Sequence, residues 1–193
     1  MIYIFFLLMF LSISSIVFLI NARNTVRNTG LEYLIYDLLQ YQFFSSSCIV
    51  ISCTLYLPES KNMEKWKITV SSCLVLLASL IYSYFGLYTG IFSEIYLLSK
   101  HLKWENAINN PRIQNIQIYF QCYDYYSKDV EHSCFHNIKD GFHSFFVSNG
   151  YSMIIQSVIL LIVFIKQILH LNSCEEKTGA ITEENLEFDF PFN

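Results

Sequence analysis

Long uncharged apolar stretches alternate with shorter polar segments along the chain. Four of these stretches are long: residues 1–20, 38–57, 68–92 and 150–171. Together they contain one lysine, Lys166, and no arginine, aspartate or glutamate. Because an α-helix rises 1.5 Å per residue, about 20 apolar residues are enough to cross a bilayer core of about 30 Å. The pattern therefore predicts four membrane-spanning helices.

Two of the four stretches admit other interpretations. Residues 1–20 resemble a cleaved secretory leader, which would leave three spans. However, they lack a basic start, and their apolar run exceeds the roughly 7–15 residues of a leader. Residues 38–57 are rich in serine and cysteine, but small and hydroxyl side chains are common where membrane helices pack together. We interpret both stretches as spans.

The segments that connect the spans differ in size and charge. Residues 21–37 and 58–67 are short, residues 93–149 are long enough for a small domain, and residues 172–193 form a tail. The 58–67 segment holds three lysines, and lysine-rich short loops favour the cytoplasmic side of a membrane. We therefore expect this loop and both termini to be cytoplasmic and the other two connections to lie outside.

The large connection is predicted to be helical. Apolar residues recur at helical spacing over residues 93–108, which predicts that the third span continues out of the bilayer until Asn109-Asn110-Pro111 ends it. Residues 113–120 favour a helix, although their β-branched content leaves a strand open. Residues 135–147 carry an apolar stripe that predicts an extension of the fourth span. Gly150 is a candidate hinge between that extension and the span.

Composition narrows the class of protein. Hydrophobic residues make up 53% of the chain and charged residues 15%, whereas a soluble domain carries roughly 25% charged residues. An aromatic content of 17% with a net charge of −4 excludes a disordered chain. The 12 basic and 16 acidic residues provide no basic face for nucleic acid. We expect an all-α membrane protein.

Sequence motifs of catalysis are absent. The chain has no Gly-x-Ser-x-Gly, no glycine-rich phosphate loop and no His-Glu-x-x-His. No aspartate or glutamate lies within a predicted span, which argues against proton relays and coupled transport. We expect no enzyme, no cofactor and no metal ion.

Two cysteines, Cys122 and Cys134, lie in the large connection. In an oxidising compartment such a pair favours a disulfide, which would close a loop of 13 residues (122 to 134 inclusive). Two free thiols are one alternative. A metal site that includes His132 and His136 is another, but no second ligand cluster with zinc spacing accompanies them.

Three further cysteines, Cys53, Cys73 and Cys174, lie near the predicted cytoplasmic ends of spans or just beyond them. Juxtamembrane cysteines at that face are candidate palmitoylation sites. For Cys53 and Cys73, a role as small packing residues is an equal alternative.

Aromatic residues are concentrated in two polar segments. Those around Cys122 form either a small core or an exposed contact patch for a partner; they are Tyr119, Phe120, Tyr123, Tyr125 and Tyr126. The acidic tail ends in Phe188, Phe190 and Phe192. This tail is either disordered and solvated or a short linear motif for a cytosolic trafficking adaptor.

The layout resembles that of tetraspanins, which have four spans, a small first outer loop and a large second one. The segment Ile116-Gln117-Ile118-Tyr119-Phe120-Gln121-Cys122 resembles the approach to the Cys-Cys-Gly motif of that family. Tyr123 and Asp124 stand where the second cysteine and the glycine of the motif would be. The resemblance implies that Cys122 pairs with Cys134 and that a second disulfide is missing as a unit.

The resemblance also implies a function. Tetraspanins organise other integral membrane proteins laterally and present the large loop to partners. Some enclose a membrane lipid such as a sterol between their spans. The sequence thus predicts a four-helix transmembrane bundle with a small, helical, disulfide-clipped extracellular domain, acting as a scaffold in the plasma membrane or an endomembrane. The alternative is a small multi-span channel or transporter subunit, which would need a polar route through the spans.

Overall fold

The computed structural model describes residues 2–27, 29–55, 65–127 and 132–187, and within these ranges the regular structure is helical, without β-strands. We number the helices in chain order. They are α1 (Ile2–Arg27), α2 (Leu31–Leu34), α3 (Tyr36–Leu55), α4 (Lys65–Gly90), α5 (Ser93–Leu98), α6 (His101–Glu105), α7 (Pro111–Phe120) and α8 (Cys134–Glu187). The all-α prediction is confirmed.

Four helices, α1, α3, α4 and α8, are long and apolar enough to cross a membrane. Their outward surfaces carry many large exposed apolar side chains, among them Phe10, Leu80, Ile155 and Leu169. In water a surface of this extent would promote association, whereas hydrocarbon solvates it. These features indicate a membrane protein, as the uncharged stretches predict.

The long helices pack side by side through stripes of buried residues. Helix α1 lies against α3, α3 against α4, and α4 against α8, while α1 meets α8 at only a few positions. Buried positions recur three and four residues apart, which is the spacing of nearly parallel helices in a bundle. In α8 the stripe comprises Asn149, Met153, Gln156, Leu160, Val163 and Gln167.

Glycine allows α4 and α8 to approach closely at one end of the bundle. Gly86 and Gly90 are four residues apart on α4, and both face the backbone around Gly150 of α8. A Cβ atom at Gly150 would lie 2.3 Å from the Cα of Gly90. Our expectation of a hinge at Gly150 is not met, because α8 runs through this residue without a break. The glycine is required for helix contact.

The segment between α4 and the crossing at Gly150, residues 91–149, forms a helical unit that we call the loop domain. The predicted continuous extension of the third span is instead interrupted at Ile91 and Phe92, after which α5 and α6 follow as short helices. Asn110 caps the N-terminus of α7. Its side chain accepts a hydrogen bond from the Arg112 amide at 2.9 Å, and proline follows at the first helical position. Residues 113–120 are therefore helical.

Helix α8 connects the loop domain to the bundle without interruption. It begins at Cys134, which confirms that the fourth span extends into the large connection. At its other end the backbone is helical to Glu187, so the prediction of a disordered tail does not hold for residues 172–187. Extending an existing helix costs far less than nucleating one. The side chain of Cys174, and Phe188, Phe190 and Phe192, lie outside the described residues.

Candidate functional site

The disulfide pair lies where α7 and α8 meet. Cys122 follows the end of α7 and Cys134 begins α8; their Cα atoms are 5.0 Å apart and their sulfur atoms are at disulfide distance. Backbone hydrogen bonds hold the same junction, from the Cys134 amide to the Asp124 carbonyl at 2.8 Å and from the Phe135 amide to the Tyr125 carbonyl at 3.0 Å. This bond removes Cys134 as a metal ligand. Within the described residues, no three histidine, cysteine or acidic side chains converge to hold a metal ion.

The aromatic cluster around Cys122 divides into a core part and a surface part. Tyr125 is buried, its hydroxyl donates a hydrogen bond to the Leu97 carbonyl, and its ring lies 5.2 Å from that of Trp104. Burial raises the pKa of Tyr125. Phe120 packs on Phe142 with ring centres 5.8 Å apart. By contrast, the exposed aromatic side chains of the cluster are Tyr119, Tyr123 and Tyr126.

A partly buried charge cluster, which our sequence reasoning missed, joins the start of α3 and the short connection before it to the loop domain. Lys100, only 8% exposed, places its Nζ 2.5 Å from a carboxylate oxygen of Asp37. The Tyr96 hydroxyl donates to the other carboxylate oxygen at 3.3 Å. Lys103 lies over the ring of Tyr33 at 4.9 Å. Burial lowers the pKa of Lys103, and burial together with Asp37 raises the pKa of Tyr96.

We expect Asp37→Asn to destabilise the fold by about 1–3 kcal/mol, because it leaves the buried Lys100 without an anion. Combining it with Lys100→Met should recover part of the loss. Thermal unfolding in detergent measures both changes. The matched control is Glu32→Gln, whose partner Arg23 is 67% exposed, and a change within about 0.5 kcal/mol is expected there. Equal effects of Asp37→Asn and Glu32→Gln, or strict additivity of the first two substitutions, would argue against the cluster.

A second ion pair joins α5 to α8 at the surface. The carboxylate of Glu94 lies 2.5 Å from Lys139 Nζ. The hydrogen bond with Lys139 lowers the pKa of Glu94 below its ordinary value of 4.5 and raises the pKa of Lys139.

Because the folded state lowers the pKa of Glu94, the pair stabilises the fold above pH 4.5 and this contribution is lost as the pH falls below that value. We expect Glu94→Gln to lower the melting temperature slightly at pH 6, since the pair is exposed. The difference from the unsubstituted protein should shrink as the pH falls below 4.5. A difference that persists unchanged at pH 3 would contradict this assignment.

A polar layer lies at the centre of the bundle. The Ser15 hydroxyl of α1 donates to Gln156 Oε1 of α8 at 2.7 Å. The hydroxyls of Ser46 on α3 and Tyr82 on α4 are 3.0 Å apart, and Tyr82 also interacts with Ser15. All four long helices therefore contribute a polar side chain to this layer, with one hydrogen bond between α1 and α8 and another between α3 and α4. Gln156 therefore makes a helix–helix contact between α8 and α1.

Nearer the loop domain, three buried polar side chains lack a partner within the described residues. They are Gln42 at its Oε1 atom, Ser45 at its hydroxyl, and Asn149 at both side-chain amide atoms. Gln42 and Asn149 are each 1% exposed. An unpaired buried amide is costly in an apolar medium, so this end of the bundle is suited to a bound polar group.

Three further cysteines are free thiols: Cys48 is buried, Cys53 half-buried and Cys73 exposed. Cys53 lies two residues before the end of α3, and Cys73 lies eight residues after the start of α4. Both therefore occupy the half of the bundle opposite the loop domain. Palmitoylation of either thiol stays a prediction.

Comparison with protein-family models, curated proteins and solved structures gives no match for this chain.

Proposed function

We propose that the chain is a four-span, tetraspanin-like scaffold that organises other integral membrane proteins and presents its loop domain to them. The main support is the way the loop domain is attached. It continues from α4 and α8, which pack closely through glycine, and is fixed by the Lys100–Asp37 cluster and the Cys122–Cys134 bond. A domain held in this way presents a defined surface.

The proposed contact surface is the exposed part of the aromatic cluster, Tyr119, Tyr123 and Tyr126. Exposed tyrosines are enriched where proteins bind each other, because a large rigid ring is combined with a polar hydroxyl. A catalytic role is not proposed, since no catalytic motif is present.

Crosslinking in native membranes, followed by identification of the captured proteins, tests the scaffold. The unsubstituted chain should capture heterologous integral membrane proteins, and a Tyr119→Ser/Tyr126→Ser double variant should capture several-fold less. The control is Tyr84→Ser, which removes an exposed tyrosine from α4 within the bundle and should leave capture unchanged. A solitary protein that conducts ions in liposomes would favour the alternative, a channel or transporter subunit.

We further propose that a membrane lipid with a hydroxyl head, such as a sterol, binds between the spans near Asn149. The unpartnered amides of Gln42 and Asn149 support this. Asn149→Leu keeps the side-chain size and removes both polar atoms, so lipid retained by the purified protein should fall several-fold by mass spectrometry. Ser148→Ala, at an exposed neighbouring position, is the control. Equal lipid content in both variants would contradict the site.

The orientation we propose places both termini and residues 58–67 in the cytoplasm, in the plasma membrane or an endomembrane. Lysines at 61, 65 and 67 support it. Trp66 beside them is exposed, with Lys67 Nζ 5.8 Å from its ring centre, as is common at a membrane–water boundary. Palmitoylation at Cys53, Cys73 and Cys174 and an adaptor bound to the tail belong to the same proposal.

A further inference from the structure

One face of α7 carries a row of amide side chains. Gln114 and Gln117 are three residues apart on α7, and Gln121 follows directly after the helix; all three side chains line the same groove. The opposite side, with Ile113 and Ile116, is buried in the loop domain. An amide side chain offers both hydrogen-bond donors and acceptors, and Gln114 and Gln121 are exposed.

This row lines an open groove that ends at an aromatic ring. The groove has a volume of about 650 Å³, and Ile118, Cys122 and Tyr123 complete its walls. Tyr123 is 69% exposed, yet its ring is stacked on His132, with centres 5.5 Å apart and planes 21° from parallel. Gln117 donates a hydrogen bond to the Tyr123 carbonyl. The ring is therefore an exposed platform with a fixed position.

Gln121 has an unusual backbone conformation for its residue type. Its φ of 52° and ψ of 44° lie in the left-handed region, which glycine adopts readily and glutamine does not. Glycine would end α7 with less strain. The conformation holds the last amide of the row at the groove, beside the Cys122 bond.

The uncharged, amide-bearing and aromatic side chains that line the groove favour one class of ligand. None of the six lining side chains is charged, so ionic ligands have no counter-charge there. Amides pair with the hydroxyl groups of a sugar, and the electron-rich face of a tyrosine attracts the C–H groups on the apolar face of a pyranose ring. The volume lies within the range of about 300–1,000 Å³ that is usual for ligand sites.

The position of the groove distinguishes between sources of sugar. Cys134 lies 16 residues along α8 from Gly150, or about 24 Å at 1.5 Å per residue. The groove is thus well removed from the bundle end where α4 and α8 cross. A glycan carried on a neighbouring protein reaches such a position, whereas a lipid head group at the level of Gly150 would lie about 24 Å from it along α8.

We infer that the groove between α7 and Tyr123 binds an uncharged glycan carried by another protein. This inference goes beyond the scaffold function and does not depend on which membrane proteins are partners. The ligand class is a neutral hexose-containing oligosaccharide, stacked on Tyr123 and hydrogen-bonded by Gln114 and Gln121.

The test measures how strongly the full chain, held in nanodiscs, retains neutral oligosaccharides that are conjugated to albumin. One set of conjugates ends in mannose and the other in galactose. At least one set should be retained, and Tyr123→Ala should weaken retention at least tenfold, while Tyr123→Phe keeps the ring and most of the affinity. Gln121→Gly removes an amide but relaxes the backbone, so weaker retention should accompany an unchanged or higher melting temperature. Tyr119→Ala removes an exposed tyrosine outside the groove and should have no effect.

Several results would overturn the inference. The first is that neither conjugate is retained more strongly than by empty nanodiscs. The second is that Tyr123→Ala and Tyr119→Ala weaken retention equally. Equal retention of unglycosylated albumin would indicate a peptide surface instead. Binding confined to glycolipid vesicles would show that the ligand is a lipid head group. Each outcome is independent of the crosslinking result, so failure here leaves the scaffold proposal standing.

Discussion

Gly150→Ala is expected to separate α4 from α8 and to lower the stability of the bundle by about 2–3 kcal/mol. The added methyl carbon would lie 2.3 Å from both the Cα and the amide nitrogen of Gly90, and 2.9 Å from the carbonyl oxygen of Gly86. These are backbone atoms on a helix, so relief requires movement of the whole helix. Gly150→Leu should prevent recovery of monodisperse protein. Thermal unfolding and size-exclusion profiles in detergent measure both effects.

Gly141→Ala provides the matched control, because it makes the same change in the same helix. A Cβ atom there meets only the ring of Phe120, at 3.0 Å, and that ring is able to shift. Alanine also improves helix propensity by about 1 kcal/mol, so Gly141→Ala should be neutral or slightly stabilising. If Gly150→Ala and Gly141→Ala melt alike, the close crossing of α4 and α8 is wrong.

Cys134→Ser is expected to cost about 3 kcal/mol, the chain-entropy value for a closed loop of this length. The loss should be concentrated in the loop domain, because Cys122 and Cys134 join α7 to the start of α8. Cys122→Ser should have the same effect, and both should change mobility on non-reducing gels equally. Hydrogen exchange of residues 113–140 measures the local loosening.

Cys73→Ser is the control for the disulfide, since Cys73 is a free, exposed thiol. It should change neither hydrogen exchange nor the difference in mobility between reduced and non-reduced samples. Unequal effects of Cys122→Ser and Cys134→Ser, or loss of that difference in Cys73→Ser, would remove the disulfide assignment.

Much of the architecture was accessible from the sequence because it depends on local pattern. An uncharged run of 25 residues over 68–92 requires an apolar environment in whatever fold it adopts. The extension of α8 down to Cys134 followed from an apolar stripe in phase with the span. The helix stop at Asn109-Asn110-Pro111 is likewise a local signal, whereas the capping of α7 by Asn110 was found only in the structure.

The features that the sequence did not reveal depend on contacts between distant segments. In the sequence, a glycine that packs two helices together looks the same as a glycine that acts as a hinge. Only the contact of Gly150 with Gly90, 60 positions away, makes it a packing residue. Asp37 and Lys100 are 63 positions apart, so no spacing rule connects them. Tyr125 and Tyr123 are nearly adjacent, yet one is buried and the other exposed, because the turn after α7 directs them apart.

We propose that four helices cross a membrane and that residues 58–67 and the loop domain lie on opposite sides of it. Single reporter cysteines at Asn106 and Asn62, with Cys48, Cys53, Cys73 and Cys174 replaced by serine, test this directly in sealed vesicles of one orientation with a membrane-impermeant thiol reagent. We expect one reporter to be labelled in intact vesicles and the other only after permeabilisation. Labelling of both reporters from the same side, or release of the chain by alkaline carbonate, would contradict it.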